Sequence, residues 1–110
     1  MASYILKASV QLNSTAAHPS TWVRSDILNV LEPDEELHTI MYEPIGELTF
    51  EITALLTANN DPKTWVADLL NSTLEKDESL LGIESTLVPD EEVQTKHEEI
   101  VSKIISMKLG

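Results

Sequence analysis

Three histidines are the side chains best suited to acid–base chemistry in this sequence, which has no cysteine to act as a nucleophile. A Ser-His-Asp arrangement would have to use His18, His38 or His97, and none of them stands in a recognisable nucleophile motif. His38 alternates with Ile40 and Tyr42, which is typical of an imidazole at the edge of a core. His97 lies on an apolar helical stripe, where a packed or interface histidine is expected. The sequence therefore predicts no catalytic residues and no enzyme.

Cofactor and metal sites have little support in the sequence. The chain has three glycines, and none of them belongs to a glycine-rich phosphate loop. The acidic runs 32–36 and 89–92 lack the alternating ligands and central glycine of a calcium loop. Trp22 and Trp65 could sandwich a planar ligand, but a large ring at the start of an amphipathic helix more often fills the end of a core. We expect no metal and no cofactor.

The charge balance restricts the class of partner. The 110 residues include 19 acidic and 7 basic side chains, a formal net charge of −12. Direct binding to nucleic acid or to an anionic membrane needs clustered lysine and arginine, so neither is expected. Residues 1–7 contain no apolar run long enough for a secretory signal or a membrane span. These features predict a single domain, residues 1–110, in the cytoplasm.

Acidic residues are concentrated in one part of the chain. Residues 1–30 have a net charge of +1, whereas residues 31–51 have seven acidic and no basic side chains. Rows of carboxylates can imitate nucleic-acid phosphates, which predicts an inhibitor that occupies the basic surface of a DNA- or RNA-handling protein. The alternative is that acidity serves only solubility. The candidate partner-binding residues are Glu32, Asp34, Glu35, Glu36, Glu43, Glu47, Asp77 and Glu78.

Small size, strong acidity and the lack of a catalytic set together resemble the small acidic proteins that viruses of bacteria make to disable host machinery. The resemblance is one of composition, and no motif carries it. It implies a phage origin, a basic protein partner and action in the host cytoplasm.

An internal duplication organises the chain. The residues Pro-Ser-Thr-Trp-Val at 19–23 recur as Pro-Lys-Thr-Trp-Val at 62–66, and ten of the 22 positions from 19 to 40 are identical 43 residues later. An alternating apolar stretch precedes each copy, over residues 4–12 and 48–56, which is typical of half-buried strands. The sequence thus predicts two similar units, at about 3–43 and 47–88.

Each unit is expected to fold as strand, helix and strand. The helices open near Pro19 and Pro62, and the second strands cover Leu37–Tyr42 and Leu80–Leu87. A hairpin turn over residues 44–47, Pro-Ile-Gly-Glu, joins the units. The expected fold is α+β, a ferredoxin-like βαββαβ arrangement with a four-stranded antiparallel sheet and two helices on one face.

A further amphipathic helix is predicted over residues 90–108, outside the duplication. Its apolar stripe must be buried, either over an edge of the sheet or in a homodimer. The second function class therefore is a self-assembling structural or regulatory module whose acidity is incidental. On the polar side, Glu92–Lys96 and Glu99–Lys103 are expected ion pairs. The candidate interface residues are Val93, His97, Ile100, Val101, Ile104 and Met107.

Overall fold

A computed structural model describes residues 1–109 of the chain. It confirms the α+β class, with a four-stranded antiparallel sheet and three α-helices. None of the helices in this described part is long and apolar enough to cross a membrane. The elements, in chain order, are β1 Ala2–Gln11, α1 Val23–Val30, β2 Glu36–Gly46, β3 Thr49–Ala58, α2 Pro62–Thr73, β4 Ser79–Val88 and α3 Val93–Leu109.

The strands lie in the order β2-β3-β1-β4, and every neighbouring pair is antiparallel. β1 and β2 therefore begin at the end of the sheet where β3 and β4 finish. One row of paired residues crosses the sheet near this end, and it consists of Glu36, Thr57, Ser3 and Val88. Neighbouring residues of this row lie one strand spacing apart, about 4.8 Å.

The larger core lies between the sheet and the helices α1 and α2. The alternating residues of the two central strands face this core as the periodicity predicted. α1 buries Val23 and Ile27, whereas Val30, in the last turn of this short helix, is 47% exposed. α1 begins at Val23 rather than near Pro19 as predicted, because a 3-10 turn at Pro19–Thr21 precedes it. Trp22 and Trp65 pack, partly buried, against the core.

The helix α3 covers the opposite face of the sheet. Ile100 is buried in a second cluster with Met41 and Leu55, which lie on β2 and β3. The polar side differs from the prediction, because Lys103 reaches Glu43 of β2 at 3.7 Å and Lys96 pairs with Glu99 at 3.6 Å. The sheet thus has helices on both faces, and much of the apolar stripe of α3 is covered within the chain.

The hairpin between the units is shorter than the predicted turn at 44–47. β2 continues to Gly46, and Glu47 and Leu48 alone connect it to β3. Pro44 is tolerated because β2 is an edge strand, where the missing N–H is not needed, and the pairing register shifts between Pro44 and Gly46. Leu48 has a φ of 55°, the left-handed conformation that such tight turns demand.

Candidate functional site

The acidic turn after α1 is held together by Glu35. Its Oε1 accepts a hydrogen bond from the Glu32 backbone N–H at 2.8 Å, and its Oε2 accepts one from the Asn59 backbone N–H at 2.9 Å. Asp34 in turn accepts the side-chain amide of Asn59 at 3.3 Å. Glu35 therefore ties the turn before β2 to the loop after β3.

The turn after α2 repeats this arrangement with Glu78. Its Oε1 accepts from the Glu75 backbone N–H at 2.7 Å, and its Oε2 accepts from the Asn13 backbone N–H at 3.2 Å. Asp77 accepts the side-chain amide of Asn13 at 2.9 Å. The acidic pairs that the duplication preserves are thus structural acceptors, and we call Glu35 and Glu78 the clamp residues.

These hydrogen bonds offset the unfavourable position of acidic residues after a helix. Carboxylates near a helix C-terminus are disfavoured by its dipole. Here Glu35 and Glu78 bond to backbone N–H groups of the turn and of a neighbouring loop, which stabilises their charge. These hydrogen bonds are enough to explain why acidic residues follow the two helices, and no binding function is needed to account for them.

The eight candidate partner-binding residues do not form one surface. The acids at positions 32 to 36 lie where β2 begins, whereas Glu47, Asp77 and Glu78 lie at the opposite end of the sheet. Glu43 faces α3 and meets Lys103 at 3.7 Å. The candidates are therefore divided between two ends of the molecule.

One end is nevertheless much more acidic than the other. The segments 31–36, 59–63 and 89–92 lie at the same end of the sheet, where β2 and α2 begin and β4 ends, and we call them the acidic end. They contain eight acidic side chains and one basic one, a net charge of −7. The acids 90–92 at the start of α3 were not among the candidates, although the sequence shows them as a dense run.

Most of the α3 residues that were candidates for a dimer interface already pack against other residues of the same chain. Ile100 is 7% exposed, and Val93 and Ile104 pack beside it against the sheet. His97 and Val101 are half-buried. Met107 is 38% exposed, so within the predicted stripe it is the residue most accessible to a partner.

A chain of hydrogen bonds at the acidic end was not predicted from the sequence. Glu36 Oε2 lies 2.9 Å from His38 Nδ1, and His38 Nε2 lies 2.7 Å from Thr57 Oγ1. Thr57 Oγ1 lies 2.8 Å from Ser3 Oγ, which is buried. His38 is 21% exposed rather than enclosed in a core. We call these four side chains the hydroxyl relay.

A groove runs beside α3 on the outer face of the sheet, with a volume of about 270 Å³. Three of the seven basic side chains line it, Lys7, Lys96 and Lys103, together with acidic residues. Thr53 lies on its floor and is 4% exposed. In the described part of the chain its hydroxyl has no hydrogen-bond partner.

Two titratable groups have clearly shifted pKa values. The Asp61 pKa is lowered, chiefly because the Ser85 hydroxyl donates to its carboxylate at 2.6 Å and the Lys63 backbone N–H donates at 2.9 Å. The Tyr42 pKa is raised because burial disfavours the phenolate, with a smaller opposing effect of the nearby Arg24. Within residues 1–109 no group of acidic, histidine or cysteine side chains is arranged to hold a metal ion.

Comparisons with known proteins support the fold. No protein-family model and no curated protein sequence matches the chain. The solution structure of the C-terminal domain of the MgtC protein from Mycobacterium tuberculosis is similar, with a TM-score of 0.55 and 19% identity, over 82% of this chain and 90% of that one. The crystal structure of the hypothetical protein ORF119 from Sulfolobus islandicus rod-shaped virus 1 has a TM-score of 0.56 and 12% identity, over 93% of this chain and 82% of that one. At such identities the likeness is one of fold alone.

Proposed function

We propose that the chain is a protein-binding module whose acidic end docks on the basic, nucleic-acid-binding surface of another protein and competes there with nucleic acid. The observation that carries the proposal is the net charge of −7 on segments 31–36, 59–63 and 89–92. Negative charges gathered at one end make the local electrostatic potential strongly negative, which attracts a basic partner and speeds association.

The geometry of the acidic end favours binding because the turn that carries several of its acids is held in an ordered conformation. Glu35 fixes the turn through two backbone hydrogen bonds, so Glu32 and Asp34 project from an ordered loop. The row from Glu36 to Val88 spans three strand spacings, about 14 Å, which separates the acids at 32–36 from those at 90–92. Ordered charges lose little conformational entropy on binding.

The experiment compares two variants that each remove three negative charges. The first neutralises acids of the acidic end whose side chains take no part in the clamps: Glu32→Gln, Asp90→Asn and Glu91→Gln. The second neutralises acids elsewhere: Glu47→Gln, Glu75→Gln and Glu84→Gln. Both avoid the clamp residues, so a change in binding is not a consequence of a weakened fold.

Each immobilised protein is exposed to a nuclease-treated lysate at low salt. We expect the wild type and the second variant to retain a basic protein that the first variant loses. Duplex DNA and 1 M salt should both release it, since the Debye length falls to about 3 Å at 1 M. Equal capture by the two variants, or a captured protein that DNA does not displace, would contradict the proposal.

We also assign the first six elements, β1 to β4 with α1 and α2, to the ferredoxin-like βαββαβ arrangement. The chain order of these elements and the strand order β2-β3-β1-β4 support the assignment. Because this arrangement serves many unrelated activities, it does not select a function.

A homodimer is the second candidate, and it has one specific observation in its favour. In the last turns of α3, Ile105 is 52% exposed and Met107 is 38% exposed, although both are large and apolar. Ile105→Asp should then lower the molar mass in solution, measured by light scattering after size exclusion. A monomeric wild type would remove this candidate.

A further inference from the structure

We propose that the hydroxyl relay activates Thr57 as a nucleophile toward small activated carboxylic esters, an activity beyond the binding function. The three distances along it, 2.9, 2.7 and 2.8 Å, are all within ordinary hydrogen-bond range. A carboxylate on one imidazole nitrogen and a hydroxyl on the other is the arrangement that activates serine and threonine nucleophiles, and it is recognised by geometry rather than by sequence order.

The direction of the hydrogen bonds follows from the acceptor at one end. An ionised Glu36 carboxylate can only accept, so His38 Nδ1 carries the proton of the neutral ring. His38 Nε2 is then an acceptor, and the Thr57 hydroxyl must donate to it. Ser3 in turn donates to Thr57 Oγ1. The proton of the Thr57 hydroxyl is therefore directed at the base that can remove it.

The pairing of β2 with β3 brings these side chains together, and His38 lies at an irregularity of this pairing. Leu37 pairs with Leu56 and Thr39 pairs with Leu55, so His38 is an extra residue between two regular pairs. Such bulges turn a side chain away from its regular direction and are common beside active sites. The His38 ring, which lies in this bulge, contacts Thr57 of the neighbouring strand.

The reaction transfers an acyl group to Thr57. Thr57 Oγ1 adds to the ester carbonyl carbon while its proton passes to His38 Nε2. The bond from the carbonyl carbon to the leaving oxygen then breaks, and the leaving group takes that proton from the imidazolium. The products are an ester on Thr57 and the free alcohol or phenol. Glu36 stabilises the imidazolium between the two steps.

The test uses the whole chain and p-nitrophenyl acetate. Acetylation of each peptide is followed by mass spectrometry, and treatment with hydroxylamine separates the labile Thr57 ester from stable amides on lysine. We expect an ester on Thr57 that is absent in Thr57→Val and retained in Thr57→Ser. His38→Gln should slow its formation about 100-fold, the usual effect of a general base.

The chain contains its own matched control. His18 Nδ1 lies 2.8 Å from the Ser20 hydroxyl, but within the described residues no carboxylate bonds to this ring. Ser20 is also more exposed than Thr57. Acetylation of Ser20 as fast as that of Thr57, in the wild-type protein, would overturn the proposal whether or not the variants fold. A His38→Gln rate within about threefold of wild type in a folded protein would overturn it too.

Discussion

Removing the Glu35 carboxylate is expected to destabilise the fold far more than removing an acid beside it. Glu35→Ala deletes two hydrogen bonds to backbone N–H groups, at 2.8 and 2.9 Å. A net contribution of about 1 kcal/mol each gives a loss of about 2 kcal/mol in the free energy of unfolding. For a domain of this size that lowers Tm by roughly 8 °C. Glu32→Ala makes the same charge change without losing a side-chain hydrogen bond and should stay within about 0.5 kcal/mol of wild type.

The same substitution at the other clamp tests the duplication. Glu78→Ala should cost slightly less than Glu35→Ala, because one of its two bonds is longer, at 3.2 Å. The clamps lie at opposite ends of the sheet, so the double variant should lose about 3.5 kcal/mol, the sum of the single effects. Total stability of small domains is about 5–15 kcal/mol, so this loss is large.

Urea unfolding followed by far-UV circular dichroism measures these differences. The urea concentration at the midpoint of unfolding should fall. The slope of the unfolding free energy against urea concentration should stay constant, because the amount of surface exposed on unfolding is unchanged. If Glu35→Ala is no more destabilising than Glu32→Ala, the clamp hydrogen bonds contribute nothing net. The acids of the turn would then have to be explained by function rather than by structure.

Three further predictions follow from buried or shifted groups. Thr53→Val should stabilise the fold by about 1 kcal/mol, because it removes a buried hydroxyl that has no hydrogen-bond partner. Thr57→Val on the same strand should destabilise it by about 1–2 kcal/mol, because the Thr57 hydroxyl bonds to Ser3 and His38. Urea unfolding measures both changes. Ile100→Asp should cost about 3 kcal/mol or more, since it removes a packed side chain and buries a carboxylate, while Ile105→Asp should leave Tm nearly unchanged. Asp61 has a lowered pKa, so its ionised carboxylate stabilises the fold at any pH above the usual value of 3.8. This contribution is lost as the pH falls below 3.8 and the carboxylate becomes protonated. The difference in unfolding free energy between wild type and Asp61→Asn should therefore be present at about pH 6 and shrink by about pH 2.

The architecture could be predicted from the sequence because its signals are local and repeated. Alternation in residues 4–12 and 48–56 identified the central strands and their helix-facing side. The register at the hairpin was harder to predict from the sequence. Pro44 and Gly46 suggested a turn at 44–47, but β2 is an edge strand, which allows it to continue through Pro44 to Gly46. Turn residues indicate where a chain can bend, and pairing with the neighbouring strand decides where it does.

The site was harder to predict because it depends on contacts between distant residues. His38 and Thr57 are 19 residues apart, and their side chains meet because β2 and β3 pair as neighbouring strands. The clamps did leave a signal, since Asp-Glu recurs at 34–35 and 77–78 in two copies that differ at many other positions. Identity at equivalent positions of a duplication is better explained by a shared structural role than by a shared charge.

The two clamps also relate the halves of the molecule to one another. Glu35 of the first half bonds to Asn59 of the second, and Glu78 of the second half bonds to Asn13 of the first. The exchange is reciprocal, as it is between subunits related by a two-fold axis, and the axis here passes between β1 and β3. An ancestral half-length chain would carry both the donor and the acceptor of this contact. Two copies of such a chain could have paired through it before the Glu47–Leu48 turn joined them into one polypeptide.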